Sequence, residues 1–305
     1  MIETSTTRPA NVSRLLAQML LCSFLWGSSF LLMKLIGADL SPLALTAVRG
    51  VMGGGLLALW FIARGESIIP QGREWRDWIA LGLLQGVIPN TLTAYALTQI
   101  TAALTAMIQA CTPLLVAVLA HLLFADEKLT GKRIAGVLIG FSGMALLLGP
   151  AAFSSGRGDV SGVLAMAATA VSYAFGNIYI RAIPQTKPGR LALGQQVFAG
   201  FPVMLLVLAF SGPAAFAAVP AHWATLAALG LFATAVPIVL YMHIVRTAGP
   251  TRGSMNAYLI PFWTILLGAL ILHEAIVIRE IVGILVVFAG VAIVSTTGQR
   301  KPSTP

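Results

Sequence analysis

Apolar runs of about 20 residues follow one another along almost the whole chain, parted by short polar gaps. A bilayer core of about 30 Å is crossed by about 20 residues of helix, and in lipid each segment must satisfy its own backbone polar groups. A barrel strand needs only about 10 residues, so runs of this length predict helices. The expected spans are 15–37, 42–63, 78–98, 103–124 and 134–152, then 160–180, 192–211, 223–243, 253–272 and 281–297. The run opening at Leu15 is too long for the apolar core of a secretion signal, and no small-residue cleavage site follows it. It is read as the first span. The longest internal connection, Arg64–Asp77, leaves no room for a soluble domain.

Composition excludes a water-soluble exterior. Charged residues are 10% of the 305, against roughly 25% in soluble domains. The net charge of +9 is no nucleic-acid signature, because no basic patch is interleaved with aromatics. The cations fall instead in the gaps, where they set orientation. With a cytoplasmic N-terminus, fifteen lie on the cytoplasmic side: Arg8, Arg14, Arg64, Arg73, Arg76, Lys128, Lys132, Arg133, Arg181, Lys187, Arg190, Arg246, Arg252, Arg300 and Lys301. Lys34, Arg157 and Arg279 lie opposite, and Arg49 lies within a span. Both termini are therefore expected in the cytoplasm, which requires an even number of spans. Cys22 and Cys111 fall inside spans and read as small apolar packing residues, with no disulfide framework or metal site.

The chain also repeats itself, at an offset of 147–148 residues. Trp26-Gly27 with Lys34 matches Tyr173-Ala174 with Arg181, and Ala80-Leu81-Gly82-Leu83 matches Ala228-Leu229-Gly230-Leu231. Pro89 pairs with Pro237, Pro113 with Pro261, Glu127 with Glu274, Lys132 with Arg279, Gly136 with Gly283, Phe141 with Phe288 and Gly143 with Gly290. Five spans per half is an odd number, so the second half enters the membrane from the opposite face. The expected fold is all-α and integral to the membrane: ten transmembrane helices as two inverted five-helix repeats. Residues 1–14 form a cytoplasmic tail, 15–152 the first repeat, 160–297 the second, and 298–305 a second cytoplasmic tail. Inverted repeats characterise secondary transporters, which hold substrate near the midplane where the halves meet.

Several residues could carry such a function. Proline removes a helical hydrogen bond, so Pro89, Pro113, Pro237 and Pro261 either fix static kinks or mark where spans bend around a solute path. Arg49 is the one charge well inside a span; it either bonds helix-end carbonyls or meets a carboxylate on the solute. No Asp or Glu lies within a span, which disfavours a proton relay. His121 and His243 sit near span ends and read as interfacial. The candidate substrate-binding residues are Trp26, Ser28, Tyr95, Gln109, Tyr173, Asn177, Tyr241, Asn256, Tyr258 and Trp263. Tyr95 and Tyr241 could instead be interface-belt residues. Trp26 and Trp263 lie too deep for a belt, leaving core packing or the site. Gly50-xxx-Gly54, Gly82-xxx-Gly86 and Gly136-xxx-Gly140 predict close helix contacts without naming partners. An embedded enzyme would need a nucleophile with its base, or metal ligands at fixed spacing, and the spans hold neither.

The chain as a whole resembles the drug/metabolite transporter superfamily in its EamA branch. The residues that carry this are Leu25-Trp26-Gly27-Ser28-Ser29-Phe30, Arg49, Pro113 with Asp126-Glu127, and Gly136 to Gly143, together with their second-half counterparts. The resemblance implies a multi-pass metabolite exporter of the bacterial cytoplasmic (inner) membrane, working by alternating access. Within the branch the chain is most similar to YddG-type exporters of aromatic and other amino acids. The alternative is a carrier or channel for another small uncharged or amphipathic solute, such as a drug, nucleoside or sugar. A second tryptophan of the pattern is replaced by Tyr173. No cofactor, nucleic acid or obligate protein partner is expected, only lipid and a small solute.

Overall fold

A computed structural model describes residues 12–36, 39–100, 105, 108–148, 160–183, 186–273 and 276–296, without the side chains of residues 30, 31, 34, 94, 97, 98 and 272. Most of both expected tails, Arg157, Glu274 and the start of the fourth span fall outside these residues, as does the Lys34 side chain. Every regular element among the described residues is helical. In chain order these are α1 (Val12–Ile36), α2 (Pro42–Ala63), α3 (Glu74–Gly82), α4 (Ile88–Gln99), α5 (Thr112–Leu123) and α6 (Gly131–Leu148). There follow α7 (Val160–Ala182), α8 (Pro188–Ser211), α9 (Trp223–Gly230), α10 (Val236–Ala248), α11 (Pro250–Ser254), α12 (Asn256–Leu272) and α13 (Ile278–Thr296).

Among the described residues six stretches are long and apolar enough to cross a membrane: α2, α7, α8, Trp223–Ala248, Pro250–Ile271 and α13. The other expected spans fall on α1, on the pair α3 and α4, on the shorter apolar α5, and on α6. Large apolar side chains such as Leu59, Leu122, Phe210 and Leu285 point outward and are mostly exposed. In water such a surface would aggregate; against lipid it costs nothing.

The helix contacts come in pairs that exchange the two halves. α1 packs on α12 as α7 packs on α5, α4 packs on α7 as α10 packs on α1, and α3 packs on α8 as α9 packs on α2. Two contacts map onto themselves, α2 with α8 and α6 with α13. Glycine makes both self-paired crossings possible. A Cβ on Gly50 would stand 2.6 Å from the Gly200 Cα, and one on Gly290 would stand 2.4 Å from the Gly140 nitrogen. Gly82 and Gly86 likewise admit Phe198 and Ala199, and Gly136 admits Val294. The small-residue spacings thus acquire definite partners, which spacing alone could not supply.

Candidate functional site

The site begins with two prolines. A proline inside a helix lacks an N–H and crowds the carbonyl four residues before it. Here the chain responds by widening one turn into a π-helix just ahead of each proline, over Leu83–Val87 before Pro89 and Leu231–Ala235 before Pro237. Such widened turns recur at functional sites. The carbonyls left without an amide at the usual spacing belong to Gln85 and Ala233. Each is taken by a side chain from across the bundle: Gln195 Nε2 donates to the Gln85 oxygen at 3.4 Å, and Arg49 Nη2 donates to the Ala233 oxygen at 2.7 Å. Arg49 Nε also donates to Thr234 Oγ1 at 2.7 Å, and that hydroxyl donates to the Leu229 oxygen. Arg49 thus bonds a carbonyl, though one within a widened turn rather than at the helix end expected from sequence.

The other prolines act differently. Pro113 stands in the first turn of α5, after a break at residues 110–111, and Pro261 lies inside α12. Pro202, inside α8, was not singled out from sequence.

Between the kinked helices lies a cavity of about 280 Å³. Of the residues expected in a binding site, Trp26, Gln109, Tyr173, Asn177 and Tyr241 line it together with Arg49. Gln85 Nε2 and Asn177 Nδ2 both donate to the Tyr173 carbonyl, at 3.2 and 2.8 Å. Tyr241 donates its hydroxyl to Asn177 Oδ1, and its ring lies 5.0 Å from that of Trp26.

The other five expected residues lie outside the lining. Ser28 bonds the Leu25 carbonyl of its own helix, while the next residue, Ser29, faces the cavity. Tyr95 is exposed and its hydroxyl meets Ser161 Oγ at 2.9 Å. Trp263 donates Nε1 to Ser23 Oγ at 3.0 Å and seats its Cβ over Gly27, fastening α12 to α1. Tyr258 is buried against Gly140, and Asn256 is fully buried among packed helices. Sequence reasoning in turn passed over Gln85, Asn90, Gln195, Gln196 and Thr234, all of which line the cavity. The repeat held a signal for two of them, since Arg49 shifted by 147 lands on Gln196, beside Gln195.

The polar part of the lining is amide, hydroxyl and indole, set beside Met33, Ile238 and Ile260, and among the described residues it holds Arg49 as its one cation and no carboxylate. Among the described residues no group of His, Cys, Asp and Glu could hold a metal ion. Bonds between helices lie in layers at one end of the cavity. Beyond the Tyr241–Asn177 bond, one turn further along α7, Arg181 pairs with Asp126 at 2.9 Å and donates to the Arg246 carbonyl. Asp126 sits on a short 3-10 turn, Ala125–Glu127, whose Glu127 is buried against Arg133 at 2.9 Å. Burial pushes the Glu127 carboxyl up, against the pull of Arg133.

Comparison with known proteins places the chain among transporters. An uncharacterized transporter of Bacillus subtilis, YoaV, is 24% identical over 92% of this chain and 96% of its own length. The uncharacterized inner membrane transporter YedA of Escherichia coli K12 is 25% identical over 92% and 90%, and Protein PecM of Dickeya dadantii is 24% identical over 92% and 93%. A protein of known crystal structure superposes with a TM-score of 0.79 at 23% identity, covering 92% of this chain and 96% of that one, which shows a shared fold. The model of the EamA-like transporter family matches twice, at residues 14–149 and 160–296, one match to each half of the duplication read from the sequence. Two matches that together span nearly all of the chain make it a membrane transporter, a member of the EamA-like transporter family.

Proposed function

We propose that the chain is a secondary carrier exporting small metabolites, amino acids and aromatic ones among them, from the bacterial cytoplasm. In this reading ten spans form two inverted halves with both tails in the cytoplasm, and the cavity opens alternately to either side. The observation that carries it is the pair of widened turns before Pro89 and Pro237. They stand 148 residues apart, each with its free carbonyl held by a side chain of the opposite half, and the cavity lies where they meet. A helix bends most easily where its hydrogen bonding is already broken, so equivalent hinges in both halves suit two states of similar energy. The end bonded by Asp126–Arg181 is the one that the positive charges assign to the cytoplasm.

The indole of Trp26, the Tyr241 ring and the neighbouring amides suit an amphipathic solute, and 280 Å³ lies near the small end of ligand pockets, at about 300 Å³. The test is counterflow in liposomes holding the purified full chain, run across amino acids, sugars and nucleosides. Saturable counterflow of an aromatic amino acid is expected. Saturable counterflow of sugars or nucleosides alone would replace the amino-acid reading, and conductance without saturation would replace the carrier with a channel.

A further inference from the structure

Arg49 and Gln195 do the same structural work in the two halves. Each bonds the carbonyl that a proline four residues later leaves without its amide. The neutral amide of Gln195 suffices on its side. The charge on Arg49 is therefore surplus to the bonding of the kink, yet a cation at that depth costs several kcal/mol by most scales. Among the described residues no carboxylate lines the cavity to offset it.

The guanidinium is also aimed. Of its five N–H donors, one on Nε and one on Nη2 are committed, to Thr234 Oγ1 and the Ala233 carbonyl. Those two bonds fix the plane of the group, no hydrogen bond to Nη1 is made among the described residues, and Arg49 lines the cavity. Planar, oriented guanidinium edges are the usual partners of carboxylates.

We infer that Arg49 is the anchor for a carboxylate on the transported solute, whose apolar part lies toward Trp26 and Tyr241. Among the described residues Arg49 is the one cation in the lining, which suits a solute with a single negative charge at that end, as a monocarboxylate has; a phosphate monoester would leave charge unmatched there. This rests on the carrier reading above, and names the solute class for the same cavity.

The test compares acid and amide forms of one solute. The purified full chain, as wild type, Arg49→Gln and Arg49→Lys, is titrated with L-phenylalanine against L-phenylalaninamide and with benzoate against benzamide, following tryptophan fluorescence. Arg49→Gln keeps a side-chain amide for the Ala233 carbonyl, as Gln195 does for Gln85, so the fold is expected to survive. The wild type should favour the acids by about tenfold or more, the scale of a charge-assisted hydrogen bond. Arg49→Gln should erase the preference, and Arg49→Lys should keep part of it. An unchanged preference in Arg49→Gln overturns the inference, as does a wild type that binds the amides equally well or binds neither acid. Saturable flux of uridine, unaffected by Arg49→Gln, with no acid preference in the wild type would overturn it while leaving the carrier in place. Absence of all flux would sink the carrier reading, and the binding comparison would still decide the anchor.

Discussion

Asp126 and Arg181 pair at 2.9 Å, tying the turn after α5 to the last turn of α7 and so joining the two halves at one end of the cavity. Both side chains are about three-quarters buried, which places the pair between an exposed bridge and a buried one. If it latches the closed end, Asp126→Asn should favour opening there by about 1 kcal/mol, roughly fivefold in population. The measurement is maleimide labelling of a cysteine at Asn177, with Cys22 and Cys111 replaced by alanine. Labelling from the Arg181 side should accelerate in Asp126→Asn and return to the starting rate in the charge-swapped pair Asp126→Arg with Arg181→Asp. Equal rates in all three would remove the latch.

The two deep tryptophans should separate. Trp26 lines the cavity, whereas Trp263 is bonded to Ser23 and packed on Phe24 and Phe262. Trp26→Ala is expected to change the ranking of solutes in counterflow while protein yield holds. Trp263→Ala should cost on the order of 3 kcal/mol of stability, the scale for truncating a large packed aromatic, and leave the ranking as it was. Thermal unfolding in detergent beside counterflow distinguishes the two, and a ranking shift in Trp263→Ala alone would reverse the assignment.

The α2–α8 crossing should tolerate no added side chain. A Cβ at Gly50 meets the Gly200 backbone at 2.6 Å, and one at Gly200 meets the carbonyl carbon of Gly50 at 2.5 Å. Backbone cannot rotate aside, so Gly50→Ala and Gly200→Ala should each destabilise by about 1–3 kcal/mol. Gly55 has open space at its Cβ position, so Gly55→Ala is the control expected to unfold with the wild type. Unfolding midpoints of the three variants check this.

A pH dependence follows from Glu74, which stands ahead of the expected span 78–98. Hydrogen bonds from Arg190 hold its carboxyl below the usual carboxylate range. A lowered folded value means that the ion pair stabilises fully above the unfolded value of about 4.3 and that this contribution is lost as pH falls through the lower folded value. The gap in unfolding midpoint between wild type and Glu74→Gln should be constant from pH 7 to about 5 and close below about 4. A gap that closes instead on raising the pH would show that the pair is not the source.

Much of this molecule was legible in one dimension. Run length and charge spacing announced membrane helices. A shifted comparison announced the duplication, and Pro89 and Pro237 marked two places where helices widen into a π turn. These are properties of order along the chain, and lipid enforces them because no water is present to satisfy an unbonded backbone.

Which of the candidate side chains face the cavity was decided by the tertiary structure. Ser28 and Ser29 are neighbours, as are Asn256 and Ala257, and in each pair only the second reaches the cavity. Successive helical residues point about 100° apart, so the answer depends on how each helix is rotated about its axis. In a soluble protein the contrast of polar and apolar faces reveals that rotation. Here the helices are apolar nearly all round, and the rotation is set instead by which glycine admits which neighbour, as Gly27 admits Trp263 and Gly50 admits Gly200.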